Sequence, residues 1–261
     1  QAFSMLLFLP LNKNNVEKFN ANFLLNTVIF NALKKNHGIC LVLFHNTFGH
    51  YHNVGMKVGH NLTSLKDKGQ ITVVEPMKDI ALNVEHMCTD TLDTSDSLLV
   101  EAMSSGNIKL IHKLFTSVRD AFLELTKTNQ EVVIIIDDLS HLCDLGFTLK
   151  DIMYYVRYLR SFLETQPASE LCILTHTYDV DLQSCIPDTI ASSLKHSAHL
   201  FITVKPLETG YSTDASGKMT INWRIDSIRK EYHWPESSVY LYKLMDRQVR
   251  VYAPGATGAL I

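Results

Sequence analysis

Four continuous apolar runs constrain the fold of this 261-residue chain more than any other feature. They are AFSMLLFL at 2–9, ICLVLFH at 39–45, VVIIID at 132–137 and ELCILTH at 170–176. A strand that is apolar at successive positions must be covered on both faces. That is the condition of a parallel strand in a sheet flanked by helices. A weaker strand, QITVVE, lies at 70–75. Helical spacing fills the gaps. Ile108, Ile111, Leu114, Phe115, Val118, Phe122 and Leu125 recur at steps of three and four, as do Leu149, Ile152, Met153, Val156, Leu159 and Leu163. Each set predicts an amphipathic helix with one stripe on a core. The stretch 16–33 is apolar almost all round and predicts a well-buried helix. This alternation predicts an α/β fold with a mostly parallel central sheet between helical layers.

After about residue 198 the pattern changes. AHLFITV at 198–204, KMTINWRI at 218–225, SSVYLYKL at 237–244 and QVRVY at 248–252 are expected to follow one another without helices, as a C-terminal antiparallel extension. The second run alternates Met219, Ile221, Trp223 and Ile225 with Thr220, Asn222 and Arg224, which suits a strand with one buried face. Met245-Asp246-Arg247 reads as a hairpin link. No linker or internal repeat interrupts the chain, so a single domain over 1–261 is expected. The acidic stretch 88–106 reads as a loop.

Composition excludes several classes. Hydrophobic residues make up 46% and charged residues 20%, which suits a globular chain rather than a disordered one. With 24 basic and 27 acidic residues the net charge is −3, so a uniformly basic nucleic-acid coat is excluded, although a local basic patch is not. No run of 18 apolar residues exists to span a membrane. The opening QAFSMLLFLPL is short and lacks a basic flank, so it reads as a buried strand rather than a signal peptide. The five cysteines form no CxxC, and Cys40 and Cys172 lie inside apolar runs, so free buried thiols in a reducing compartment, cytosol or nucleus, are expected. Without a secretory signal, the sequon Asn61-Leu62-Thr63 carries little weight.

The string VVIIIDDL at 132–139 is the most informative chemically. It puts the Asp137 carboxylate at the C-terminal tip of a buried strand, where nucleotide-hydrolysing folds hold Mg²⁺. Such chemistry also needs a phosphate cradle, GxxxxGK[ST], after the first strand. That place reads LPLNKNNVEKF at 9–19, and the first glycine of the chain is Gly38. Backbone turns that offer several N–H groups to a phosphate favour glycine. Lys13 and Lys18 without a cradle are surface charges. The end of the second run, FHNTFGH at 44–50, offers no Asp or Glu to orient a water. The residues describe a nucleotidase-like fold without its chemistry, and no cofactor is expected. Two alternatives stay open. One is an active NTPase with an atypical phosphate loop. The other is a metal-dependent hydrolase at His45, His50, His52 and His60, whose His-x-His step can seed a metal site although no nearby Asp, Glu or Cys completes it. No GxSxG elbow exists, and the two-residue spacing of His141 and Cys143 does not face one toward the other.

Several stretches together resemble the Elongator complex protein 6 family. They are FGHYHNVGMKVG at 48–59, VVIIIDDLSHL at 132–142, LCILTH at 171–176 and KHSAHLFITVKPLETGYSTDASGKMTINWR at 195–224. The resemblance covers nearly the whole chain and rests on pattern and order rather than on a catalytic signature. It implies a RecA-like fold with a degenerate P-loop. It also implies a non-catalytic subunit that assembles with the fourth and fifth Elongator subunits into a heterohexameric ring. That ring joins the larger Elongator assembly, which modifies the wobble uridine (U34) of tRNA. By the same resemblance the ring binds tRNA, ATP influences release of the tRNA, and the uridine chemistry belongs to another subunit. The protein is expected in the cytoplasm and the nucleus, with no membrane partner.

Carried over residue by residue, Asp137 matches the Walker B aspartate of RecA-like domains and Asp138 follows it. In RecA-like rings the loops after the fourth and fifth strands face the pore. Here those loops, roughly 141–149 and 176–187, contain His141, Asp144, His176, Asp179 and Asp181 but no Lys or Arg, and an acidic loop repels phosphate. Basic side chains come later: Lys205, Lys218, Arg224, Arg229, Lys230, Arg247 and Arg250. These are the candidate RNA or inter-subunit contacts, including an arginine offered in trans to a neighbour's phosphate. Charges that protect sheet edges are the other reading of the group.

Overall fold

The computed structural model describes residues 3–10, 22–78, 107–166, 168–177, 186–207, 212, 214–246 and 248–253. Most of the 9–19 segment, all of 88–106, and Asp179, Asp181 and Arg247 lie outside the described residues. In chain order the elements are β1 (Phe3–Pro10), α1 (Asn22–Lys34), β2 (Gly38–Leu43), α2 (Phe48–Lys57), α3 (Leu62–Asp67) and β3 (Ile71–Val74). Then come α4 (Asn107–Thr126), β4 (Val132–Asp137), α5 (His141–Asp144), α6 (Leu149–Glu164), β5 (Ser169–Thr177) and α7 (Ile186–Ser197). The chain continues with β6 (Leu200–Lys205), β7 (Gly217–Trp223), α8 (Asp226–Glu231), β8 (Ser237–Leu244) and β9 (Val249–Tyr252).

All nine strands join one sheet in the order β3-β2-β4-β5-β1-β6-β7-β8-β9. Pairings from β3 through β6 are parallel, and those from β6 to β9 are antiparallel. This is the parallel core with antiparallel extension that the sequence predicts.

The continuous apolar runs are explained by two cores, one on each face. On β4, Val132, Ile134 and Ile136 enter one core while Val133 and Ile135 enter the other. On β2, Cys40 and Val42 face the first core, and Ile39, Leu41 and Leu43 the second. The first core is closed by α4 through Val118 and Phe122, by α6 through Ile152 and Leu159, and by α7 through Ile190 and Leu194. The second is closed by α1 through Leu25 and Ile29, by α2 through Tyr51 and by α3 through Leu62. Each such buried side chain contributes roughly 1.5–3 kcal/mol relative to exposure. Burial pushes the Cys40 thiol up to about 12, so the group is an inert part of the core. Among the described helices none is long and apolar enough to cross a membrane.

Local signals set the helix starts. A capping box opens α6: the Thr148 hydroxyl accepts from the Asp151 N–H, and the Asp151 carboxylate accepts from the Thr148 N–H at 2.9 Å. Asn61, the sequon asparagine, caps α3 by accepting from the Ser64 N–H at 3.0 Å. One expectation is corrected. The extension is interrupted by α8, a single short helix between β7 and β8, where Asp226 binds Arg229 at 2.7 Å and Lys230 at 3.7 Å one turn on.

The start of β7 is tightly packed at Gly217. A Cβ there would lie 2.6 Å from the Tyr242 hydroxyl oxygen and 2.7 Å from the Lys205 carbonyl oxygen. The Tyr242 hydroxyl is itself buried without a hydrogen-bond partner, and burial raises its pKa to about 12. Replacing Gly217 with Ala is expected to cost roughly 1–3 kcal/mol by overpacking. Tyr242→Phe is expected to be neutral or stabilising, because it removes an unsatisfied group. Urea unfolding of the two variants checks both; a destabilised Tyr242→Phe contradicts the account.

Candidate functional site

The C-terminal tips of β2, β4 and β5 lie side by side. Crevices outside such tips are where open α/β sheets place their ligands. Two consecutive carboxylates, Asp137 and Asp138, occupy the β4 tip, and both residues are fully buried. The peptide between them is cis.

Charged carboxylates removed from water need donors around them. Three residues supply these, and an imidazole adjoins them. The Tyr51 hydroxyl on α2 donates to Asp137 Oδ2 at 2.7 Å, and Asn46 Nδ2, just after β2, donates to the same oxygen at 2.9 Å. Ser140 gives its N–H at 2.9 Å and its hydroxyl at 2.6 Å to Asp138 Oδ1. His176, near the end of β5, meets Asp138 Oδ2 through Nδ1, a contact that is attractive only with a proton between the two atoms. Burial, with the Asp137 charge beside it, holds the Tyr51 phenol well above its usual range, so it stays a donor. Asp137 Oδ1 and Asp138 Oδ2 are both buried without accepting a hydrogen bond.

Three imidazoles roof the pair. His45 and His141 stack with centroids 4.5 Å apart and planes 4° from parallel. His176 stands edge-on to both, at 6.5 and 6.4 Å. Burial and then the neighbouring His141 lower the His45 pKa, and burial and then His45 bring His176 down to about 4. His141 is also bound by Asp144 at 2.8 Å. Stacking, rather than convergence of nitrogens on one point, is the geometry here. Among the described residues no group of three His, Cys, Asp or Glu is placed to hold a metal ion.

The other histidines of the 45–60 stretch are dispersed. The His52 ring lies 3.2 Å from the Thr63 hydroxyl, His60 stacks on Phe30 at 5.1 Å, and His50 packs edge-on to Tyr51 at 5.4 Å. Of that group only His45 is stacked on His141 in the roof over the aspartates.

The structure separates the basic residues to two ends of the extension. Lys205 lies opposite Lys218, and Arg250 opposite Lys243, at the end where β6 finishes. Arg224 follows the far end of β7, and Arg229 and Lys230 lie in α8 beyond it, both bound to Asp226. Arg247 lies outside the described residues.

Sequence reasoning located Asp137 and missed its holders. The usable signal for Tyr51 is its place with Gly55 on the buried side of α2. Lys243 was missed because its neighbour across the hairpin, Arg250, is seven residues away along the chain and the register decides the pairing.

The imidazole roof gives the fold a pH dependence. His176 takes up a proton near 6.5 when unfolded but only near 4 when folded. The unfolded chain therefore binds more protons between these values. The stabilisation is full above about 6.5 and is lost progressively toward 4, at most on the order of 3 kcal/mol. Melting temperatures from pH 7 to pH 4 should fall more steeply for the parent chain than for His176→Gln. Parallel curves contradict this role for His176.

Comparison with known proteins agrees with this architecture. The family model described as Elongation complex protein 6 matches residues 13–246. Elongator complex protein 6 of Homo sapiens is 27% identical over 247 residues, covering 94% of this chain and 90% of the human protein. That of Drosophila melanogaster is 24% identical over the full length of both chains. Among solved structures, an uncharacterised Pyrococcus horikoshii protein in complex with an unknown peptide superposes with a TM-score of 0.56 at 10% identity, covering 97% of this chain and 92% of its own. A KaiC-like protein of the same organism gives 0.53 at 13% identity, covering 96% and 89%. The fold is RecA-like. With its family model matched from residue 13 to residue 246, the chain belongs to the Elongation complex protein 6 family.

Proposed function

We propose that this Elongator component is a single RecA-like domain that serves as a non-catalytic subunit of a mixed hexameric ring. The ring forms with the fourth and fifth Elongator subunits and holds tRNA while another subunit modifies the wobble uridine. The observation that carries this reading is the state of the aspartate pair. Two of its four carboxylate oxygens accept hydrogen bonds from Tyr51, Asn46 and Ser140 within the fold, and the His176 imidazole lies against a third. A carboxylate engaged in this way is a brace between strand tips rather than a poised catalytic group. The 9–19 sequence supports the same reading, because it lacks the glycines that phosphate-binding turns favour. The free, buried Cys40 and Cys172 suit a reducing compartment, cytosol or nucleus.

Native mass measurement of the chain alone, and mixed with the other two ring subunits, tests assembly. The expected result is no hexamer alone and a mixed hexamer with partners. A stable homohexamer contradicts the reading. ATP turnover by the reconstituted ring tests the chemistry. Asp137→Asn, in a ring shown to be assembled, should leave turnover within about twofold of the parent. Abolished turnover would show that this chain supplies catalytic machinery.

A further inference from the structure

Both tryptophans of the chain and Tyr232 form one stack beside α8. Trp223, the last residue of β7, packs on the second core. The Trp234 ring stacks on it with centroids 4.6 Å apart, and the Tyr232 ring stacks on Trp234 at 4.8 Å. The stack therefore runs outward from the core, and its outer members, Trp234 and Tyr232, are 41% and 57% exposed. Every residue from Lys230 to Ser237 is exposed. Two large rings side by side in such a run are not accounted for by core burial, and adjoining exposed apolar surface marks interaction sites.

The backbone holds the outer rings in place. The Trp234 N–H donates to the Arg229 carbonyl at 2.9 Å, and the His233 N–H to the Lys230 carbonyl at 3.3 Å. Rings already ordered in the free chain lose little further freedom when a partner covers them. The surrounding charges cancel. Between residues 224 and 236, Arg224, Arg229 and Lys230 are matched in number by Asp226, Glu231 and Glu236. Arg229 and Lys230 are both bound to Asp226. An RNA backbone needs a surplus of cations, which this segment lacks. Exposed Trp and Tyr amid balanced charges match the composition of a protein interface instead.

From this arrangement we infer that Tyr232 and Trp234 anchor a protein–protein contact whose occupant is the side-by-side neighbour in the mixed ring, presenting an apolar surface with no net charge. The place of the stack in the fold favours this occupant. The α8 turn joins β7 to β8, next to the β9 edge of the sheet. That is a lateral flank of the body, where a closed ring brings each subunit against the next. Trp223 pairs with Leu200 at the start of β6, so the stack lies at the rim opposite the Asp137 tip, and the contact leaves the aspartate pair untouched. This inference rests on the proposal that the chain is a ring subunit, and it names where this subunit meets its neighbour.

The test mixes the chain with the fourth and fifth Elongator subunits and follows ring assembly by native mass titration at low and high salt. Tyr232→Ser with Trp234→Ser should weaken assembly by roughly tenfold or more, as removal of interface anchors does. The loss should be the same at both salt concentrations, because contacts of uncharged rings are not screened. Tyr158→Ser, at an exposed tyrosine on α6, should assemble like the parent. If the parent chain forms no mixed ring, the ring proposal falls, and this inference with it. If the parent assembles and the double variant assembles equally well, only this inference is overturned. A loss seen only at low salt, or an equal loss with Tyr158→Ser, contradicts the assignment. A double variant that enters the ring normally but lowers its affinity for tRNA identifies the rings as a stacking platform for bases and also overturns it. Should the double variant not fold, Tyr232→Ser alone, at a residue more than half exposed, must weaken assembly, and unchanged assembly contradicts the inference.

Discussion

The buried Asp137–Asp138 pair is the constraint around which the strand tips are organised. Two adjacent carboxylates at the end of β4 have lost their water, a state that protein donors must offset. The surrounding groups arrive from separate places: the donors Asn46 after β2, Tyr51 on α2 and Ser140 before α5, and the His176 imidazole on β5. Satisfying the pair therefore fixes how α2 sits over β2 and how the chain leaves β4 and β5. The backbone takes part as well, since the Phe44 N–H donates to the Asp137 carbonyl and the Leu139 N–H to the Leu174 carbonyl. The residues around the two aspartates thus connect the tips of three strands.

Much of the fold was legible because burial on both faces leaves a strong mark. The runs at 39–45 and 132–137 became β2 and β4, and the stripes at 107–125 and 149–163 became α4 and α6. The stretch FGHYHNVGMKVG gave no comparable mark. It forms α2, which buries only Tyr51 and Gly55, and so few apolar positions leave no helical period to read. The short α8 was hidden for another reason: DSIRKE is held by local ion pairs of Asp226, with strands on either side.

The site was half legible for a related reason. A carboxylate at a strand tip is a local pattern, and Asp137 could be located from it. Its partners are not local, since Tyr51 and Asn46 lie 86 and 91 residues away along the chain. The late basic residues form one group in sequence and two in space. Antiparallel strands reverse direction, so Lys218 and Arg224, six residues apart, end on opposite rims while Lys205 returns beside Lys218. This division gives the two ends of the extension different characters, a cationic face at one rim and an ion-paired helix at the other.

Membership of the Elongation complex protein 6 family and the internal use of the aspartates point in the same direction. The RecA-like scaffold carries an acidic strand tip that faces into the fold. The most direct test is a double-mutant cycle between Tyr51→Phe and Asp137→Asn, read by denaturant unfolding. A structural brace predicts a coupling of about 1–3 kcal/mol between the two positions. Additive effects would show that Asp137 is not held by Tyr51 and would contradict the account.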